Sequence, residues 1–118
     1  MDKPTPRIDG SMLASFPNRT VRLVGRVESF KPGNTVSLYV PSIDNPSTER
    51  FDVTYSPDIK FQQGTWFEII ARVTEDLMVR AIDLYKIEQE NVSEKALAGF
   101  IKFQHAVPEL FYTGEDWL

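Results

Sequence analysis

The apolar residues of this chain repeat with two different periods, and the change between them divides the sequence into two parts. Between residues 20 and 86, apolar and polar residues alternate, which is typical of β-strands with one buried face. Between residues 91 and 107, the apolar residues recur every three or four positions, which is typical of an amphipathic helix. The sequence therefore predicts a β domain followed by one C-terminal helix.

Five segments of the alternating part are predicted to be strands. They are residues 20–30, 36–40, 51–55, 65–73 and 77–86. Gly25 interrupts the first strand, and a glycine inside a strand often marks a bend or a bulge. Val24 is an apolar residue on the polar side, which predicts that part of this strand is covered on both faces. The prolines between Pro41 and Thr48 predict a surface loop.

Small antiparallel proteins bury their strand edges by closing a barrel or by stacking two sheets, and the pattern alone permits both. The strand count and the long, bent first strand favour an all-β fold, namely a five-stranded OB-fold barrel with a C-terminal α-helix. Residues 1–9 are predicted to be a flexible leader, residues 10–90 the barrel, and residues 91–118 a C-terminal oligomerisation helix and tail. A helical turn over residues 11–16 would pack on the core through Met12, Leu13 and Phe16.

The composition excludes several classes of function. The net charge is -4 and the pI is about 5.0, whereas proteins that bind a nucleic-acid backbone on their own usually carry a basic surface. Cysteine is absent, and the one histidine, His105, cannot supply an ordinary zinc site. No catalytic motif is found, so we predict neither an enzyme nor a bound cofactor or metal. The lack of an apolar signal or membrane segment favours an intracellular protein.

The predicted helix carries an apolar arc that is wider than packing on one surface requires. Asn91 followed by Glu94 is typical of a helix start, and Pro108 predicts an end near Val107. The arc either packs entirely on the open end of the barrel or leaves one face for a partner. We favour a partner, because an apolar stripe in water usually marks an interface. Gly99 in mid-helix costs about 1 kcal/mol relative to alanine, but it would let another helix approach closely. The predicted partner-binding residues are Leu97, Gly99, Phe100, Ile101, Phe103, Gln104 and Val107.

The barrel itself is predicted to contact nucleic acid weakly. OB folds usually bind ligands across the second and third strands, where Tyr39 could stack on a base and Lys31 and Arg50 could meet phosphates. Asp52 offsets the charge of Arg50, and the loop between the fourth and fifth strands is acidic. The arginines at 19, 22 and 26 form either a solvated face or a surface for an acidic partner, and the sequence leaves both open.

Several segments resemble one known family. They are Arg7-Ile8-Asp9-Gly10, Met12-Leu13 with Phe16, Val21-Arg22-Leu23-Val24-Gly25-Arg26-Val27, Trp66-Phe67-Glu68-Ile69-Ile70-Ala71-Arg72-Val73 and Pro108-Glu109-Leu110-Phe111-Tyr112. Together they resemble the smallest subunit of replication protein A, in a fungal-like form. The first segments are fairly specific, whereas the strand motifs alone would be weak.

The resemblance implies an OB fold whose C-terminal helix joins helices of the middle and large subunits of replication protein A in a three-helix bundle. It also implies a nuclear heterotrimer that binds single-stranded DNA in DNA replication, repair and recombination, with this chain as a structural subunit. Two alternatives stay open. One is an independent OB module that binds single-stranded nucleic acid, and the other is the small OB subunit of a telomere-capping complex.

Overall fold

The computed structural model describes residues 5–88, 90 and 92–106, and it describes residues 103–106 by their backbone alone. The strands are β1 (Arg19–Lys31), β2 (Thr35–Tyr39), β3 (Arg50–Thr54), β4 (Trp66–Val73) and β5 (Val79–Ile87). Helix α1 (Glu94–Ala106) follows them, and two 3₁₀ turns, Gly10–Ser15 and Pro46–Thr48, lie before β1 and before β3. The predicted succession of five strands and one helix is confirmed.

The strands form a closed barrel in the order β1-β2-β3-β5-β4. The first part of β1 pairs with β4 from Arg19 to Arg26, and the second part pairs with β2 from Arg26 to Lys31, so β1 bends where it changes partner. β3 and β5 close the ring through a short parallel contact, whereas the other pairs are antiparallel. The predicted OB-fold barrel is confirmed, and a sandwich of two sheets is excluded.

The alternation in the sequence matches the burial of the barrel. Because side chains i and i+2 of a strand point to the same side, alternate residues fill the core and the residues between them face outward. The inward set includes Val21, Leu23, Val27, Val36, Leu38, Val53, Phe67, Ile69, Ala71, Val73, Val79 and Ala81. The first 3₁₀ turn packs on this cluster through Met12, Leu13 and Phe16, as predicted.

Gly25 lies at the bend of β1 and not at its bulge. The register of the β1–β2 ladder shifts between Val27 and Ser29, so the bulge lies further along the strand. A Cβ atom on Gly25 would lie 2.8 Å from Leu38 Cγ and 2.8 Å from the Tyr39 carbonyl oxygen. β2 therefore approaches the β1 backbone too closely for a side chain at this position.

The prediction of a flexible leader over residues 1–9 is wrong for its second half, while its first four residues lie outside the described residues. The Ile8 amide donates to the Arg22 carbonyl at 2.9 Å, and the Arg22 amide donates to the Pro6 carbonyl at 2.8 Å. Ile8 is fully buried in the core, and the buried Asp9 caps the first 3₁₀ turn. Backbone pairing with β1 and the apolar anchor therefore hold this segment on the barrel.

Helix α1 begins at Glu94, later than the predicted start at Asn91, which itself lies outside the described residues. The Ser93 hydroxyl accepts a hydrogen bond from the Ala96 amide at 3.3 Å, so Ser93 acts as the N-cap. Serine and asparagine are equally good at this position, which explains the shift. The predicted tail from residue 107 onward lies outside the described residues.

The described part of the chain contains no helix that is long and apolar enough to cross a membrane. Within the same residues, no cluster of three or more histidine, aspartate or glutamate side chains could hold a metal ion.

Candidate functional site

Helix α1 packs on the barrel by one side only. Ala98 and Ile101 share a face because they are three residues apart, and they are 5% and 0% exposed. Phe100 points to another side and is 37% exposed. One side of the helix is therefore buried within the chain, and another side is partly exposed at Phe100.

The residues beneath α1 belong to the outer wall of the barrel. Val24 and Trp66 occupy outward positions of β1 and β4, yet they are 6% and 2% exposed, and neither belongs to the barrel core. Ala98 and Ile101 of the helix are likewise buried outside the core cluster. The helix thus covers the outer wall and does not plug an open end. The predicted burial of Val24 from both sides is confirmed.

The prediction that Ile101 binds a partner is wrong. Its side chain is fully covered by the chain itself, so it offers no surface to another molecule. A helical wheel places Ile101 beside the apolar stripe, but a wide arc does not show which of its edges faces the barrel.

Polar contacts hold α1 near both ends. The Tyr39 hydroxyl donates to the Glu94 carboxylate at 2.7 Å, and Arg26 Nη1 lies 4.0 Å from the same carboxylate. About two turns further along, Lys102 Nζ lies 3.1 Å from Asp44 Oδ2, in the loop between β2 and β3. Glu94 also lies in the first turn, where a negative charge interacts favourably with the helix dipole. These contacts set the rotation of the helix on the barrel.

The exposed side of α1 carries the other predicted partner-binding residues whose side chains are described. Leu97 and Phe100 line a groove of about 340 Å³ between the helix and the outer wall of the barrel. The Arg7 guanidinium lies 5.6 Å from the centroid of the Phe100 ring. A Cβ atom on Gly99 would meet Ile43 Cδ1 at 3.7 Å, which is an ordinary contact. Packing within the chain therefore does not require a glycine at this position.

Three predicted partner-binding positions stay predictions. Phe103 and Gln104 lie on α1, but their side chains are outside the described part of the structure, as is the whole of Val107.

The Tyr39 ring has several contacts within the chain, and its stacking on a base stays a prediction. The guanidinium carbons of Arg26 and Arg50 lie 4.9 Å and 4.7 Å from the centroid of its ring. The Trp66 ring meets it edge-on, with 6.1 Å between centroids. Contacts within the chain therefore occupy the surface that a base would need.

The predicted phosphate contacts each form an ion pair with a carboxylate. Arg50 Nε lies 3.1 Å from Glu28 Oε1, and Lys31 Nζ lies 2.8 Å from Asp52 Oδ1. Exposed pairs of this kind contribute about 1 kcal/mol or less, so they weaken phosphate binding without preventing it. Arg50 is paired with Tyr39 in the β2–β3 ladder, whereas Lys31 of β1 is paired with Thr35, at the other end of β2. The three residues therefore do not form one site.

The contact network at the start of α1 includes four residues whose roles were not predicted from the sequence: Arg26, Glu28, Trp66 and Glu94. Glu28 accepts hydrogen bonds from Arg26 at 2.9 Å and from Arg50 at 3.1 Å. The bond from Arg26 lowers the pKa of Glu28, burial opposes this, and Arg50 adds to the lowering. The sequence does contain one indication of the Arg26–Glu28 ion pair. The two residues are oppositely charged and lie two positions apart on the outward side of a strand.

Tyr39 is expected to ionise near pH 12. Burial, followed by the hydrogen bond to Glu94, raises the pKa of Tyr39 from 10.0 to about 12. Because the folded pKa is the higher one, this contribution to stability is complete below pH 10 and is lost as the pH rises toward 12. Tyr39→Phe should remove a phenolate absorbance transition near pH 12 and make the free energy of unfolding fall less steeply above pH 10. An unchanged transition in the variant would contradict the assignment.

Comparison with known proteins decides the family. The family model of Replication factor A protein 3 matches residues 1–111 of the chain. The chain belongs to this family. The resemblance to the smallest subunit of replication protein A is thereby confirmed. No curated protein sequence matches the chain.

Solved structures agree with the Replication factor A protein 3 assignment. A chain of U. maydis replication protein A bound to ssDNA matches with a TM-score of 0.79 at 26% identity, over 95% of this chain and 99% of that one. A chain of yeast RPA bound to ssDNA matches with a TM-score of 0.74 at 20% identity, over 94% and 100%. A chain of the S. pombe Stn1-ten1 complex matches with a TM-score of 0.63 at 16% identity, over 90% and 96%. The last two identities show a shared fold alone.

Proposed function

We propose that this member of the Replication factor A protein 3 family acts as the structural subunit through which a replication protein A heterotrimer is assembled. The complex binds single-stranded DNA in DNA replication, repair and recombination, and its site of action is the nucleus. The observation that carries the proposal is that two sides of α1 have different surroundings. Ala98 and Ile101 hold the helix on the barrel, and Phe100 stays accessible on its other side. No catalytic role is proposed.

The exposed side of α1 is proposed to join helices of the middle and large subunits. Leu97 and Phe100 provide apolar surface, and burial of such a side chain contributes about 2 kcal/mol. Gly99 lies between them in the sequence, and since packing within the chain does not require a glycine there, close approach of a second helix is its proposed role. An apolar side of a helix that its own barrel leaves open is the kind of surface that packs in a helix bundle.

The DNA-binding role is proposed to belong mainly to the complex and not to this barrel. The net charge of -4 disfavours contact with a phosphate backbone. The Tyr39 ring is covered by two arginines, and Arg50 and Lys31 are paired with carboxylates. What this chain supplies is a stable barrel that presents one helix.

Co-expression with the middle and large subunits from the same organism tests the proposal. We expect one complex with a single copy of each chain, measured by size-exclusion chromatography with light scattering, and the complex should bind a labelled single-stranded oligonucleotide. The likeness to the Stn1-ten1 structure makes the small subunit of a telomere-capping complex the second candidate. Assembly with a telomere-capping subunit instead of the replication protein A subunits would support that candidate. Tight oligonucleotide binding by the isolated chain would favour an independent module.

Gly99→Ala is expected to stabilise the isolated chain while weakening assembly. Alanine gains about 1 kcal/mol over glycine in mid-helix, and its Cβ finds an ordinary contact with Ile43. The same methyl group would separate α1 from a helix packed closely against it. Thermal unfolding measures the first effect, and the affinity for the partner subunits measures the second. A variant that is more stable and still assembles with unchanged affinity would exclude close packing at Gly99.

A further inference from the structure

Three arginines on the outer wall of the barrel form a cationic face, defined by Arg22 of β1, Arg72 of β4 and Arg80 of β5. Arg72 lies directly opposite Arg80 in the antiparallel ladder, and Arg22 lies opposite Ile70, two positions from Arg72. Residues opposite each other have Cα atoms about 4.5–5.5 Å apart, and diagonal neighbours are about 7–8 Å apart. The three arginines are therefore neighbours on one part of the barrel wall.

The arginines of the cationic face form no ion pair within 4.0 Å among the described residues, although the exposed Asp58 carboxylate is near enough to Arg80 to interact with its charge. By contrast, Arg26 of β1 and Arg50 of β3 each form an ion pair with Glu28. None of the ion pairs among the described residues includes Arg22, Arg72 or Arg80. The Nε atom of Arg22 is buried and, within the same part of the chain, has no hydrogen-bond partner.

The position of these charges is unfavourable for the isolated chain. Like charges directly opposite each other in an antiparallel pair destabilise a sheet, and Arg72 and Arg80 are such a pair. The nearest carboxylate of that ladder, Asp83, lies opposite Ile70 and accepts hydrogen bonds from the Leu84 amide and the Tyr85 hydroxyl. Asp58 is fully exposed and compensates Arg80 only weakly through solvent, so an acidic ligand would relieve the remaining repulsion among the three arginines.

Aliphatic side chains border the cationic face. Met78 and Ile82 precede and follow Arg80 by two residues, and they are 56% and 53% exposed. Val79 and Ala81 between them are buried, so the three alternate residues share the outward side. The residues that are paired with the three arginines, or lie two positions from them, include no aromatic side chain. Single-stranded DNA is usually held by stacking on aromatic rings, so this surface suits protein carboxylates better than bases.

We propose that the cationic face binds an acidic segment of a partner protein in which carboxylates alternate with apolar residues. The guanidinium forks of Arg72 and Arg80 match carboxylates in bidentate geometry, and Met78 and Ile82 receive the apolar side chains. The cationic face is separate from the exposed side of α1 that is proposed to bind the other subunits. Strands β1, β4 and β5 form the cationic face, and α1 contributes none of its residues. The cationic face provides a second point of attachment on the chain, independent of the helix.

A fluorescein-labelled peptide that alternates glutamate with leucine tests the proposal, by fluorescence anisotropy with the full chain at low salt. Arg80→Glu should weaken binding about tenfold or more, because one attractive charge becomes repulsive. Lys95→Glu is the matched control, since it makes the same change of charge at an exposed position of α1 and should leave the affinity unchanged. Arg80→Gln should weaken binding and also raise the midpoint of thermal unfolding, because it removes the Arg72–Arg80 repulsion.

Other results would overturn the proposal. They are equal affinity of the wild-type chain and Arg80→Glu, no binding by the wild-type chain, and equal binding of a glutamine–leucine peptide. Binding of a single-stranded oligonucleotide that depends on Arg72 and Arg80, without binding of the acidic peptide, would assign the cationic face to nucleic acid instead.

Discussion

Replacing Phe100 with aspartate is expected to abolish assembly with the middle and large subunits. Phe100 is 37% exposed in the chain alone, and a helix packed on it would cover that surface. The variant loses about 2 kcal/mol of apolar burial and places a carboxylate in an apolar interface, which costs several kcal/mol more. Since 1.4 kcal/mol corresponds to a factor of ten, association should weaken by roughly 1000-fold or more. Size-exclusion chromatography of the co-expressed subunits measures the loss.

Lys95→Asp is the matched control for this experiment, because it places the same residue at an exposed position of α1 away from Phe100. It should assemble with nearly wild-type affinity. Both isolated variants should keep their free energy of unfolding within about 1 kcal/mol of the wild type, because both positions lie at the surface and Arg7 lies beside residue 100. Normal assembly of Phe100→Asp would exclude the exposed side of α1 as the interface.

Gly25→Ala is expected to destabilise the chain by about 3 kcal/mol, the upper part of the range for inserting a methyl group into a packed site. The new Cβ would lie 2.8 Å from the Tyr39 carbonyl oxygen and from Leu38 Cγ. The carbonyl oxygen belongs to the backbone and cannot rotate away. β1 cannot withdraw either, because Gly25 pairs with Phe67 of β4 on its other side. The barrel must therefore widen, and the midpoint of thermal unfolding should fall by roughly 10 °C.

Gly25→Ala should lower the free energy of unfolding of the isolated chain, whereas Gly99→Ala should raise it. The two variants are therefore a matched pair. Both add one methyl group, but the first meets a backbone atom and the second meets only Ile43 at 3.7 Å. An unchanged midpoint in Gly25→Ala would mean that the β1–β2 contact is soft enough to accept a side chain.

The barrel could be predicted from the sequence because one face of each strand is apolar and the other is polar. Pairs such as Val36 with Leu38, or Ile69 with Ala71, can be buried together only in an extended chain. The pairing of residues 6–9 could not be predicted in this way. Two nearby prolines fit a mobile leader as well as an edge strand, and only the hydrogen bonds to Arg22 distinguish them.

The existence of α1 was predictable, whereas its rotation on the barrel was not. Phe100 and Ile101 are adjacent and both apolar, so the sequence does not show which one faces inward. Which residue faces inward depends on Val24 and Trp66, which are buried although they lie on the outward side of their strands. From the alternation of the strands alone, both would be expected to face solvent. The same difficulty hid the role of Arg26, which has its ion-pair partners on β1 and on α1. Local periodicity describes each element, and the fit between elements is a tertiary property.

The division of β1 between two partners has a consequence for synthesis on the ribosome. β2 follows β1 directly, so the C-terminal part of β1 can pair as soon as the next turn has been made. The N-terminal part must wait for β4, and slow non-local pairing leaves it open in the meantime. Helix α1 emerges last, after the wall on which it docks is complete. We therefore expect a newly made chain to close its barrel before Phe100 becomes exposed on α1. A subunit that finds no partner should then be recognised by chaperones and proteases through the exposed side of α1.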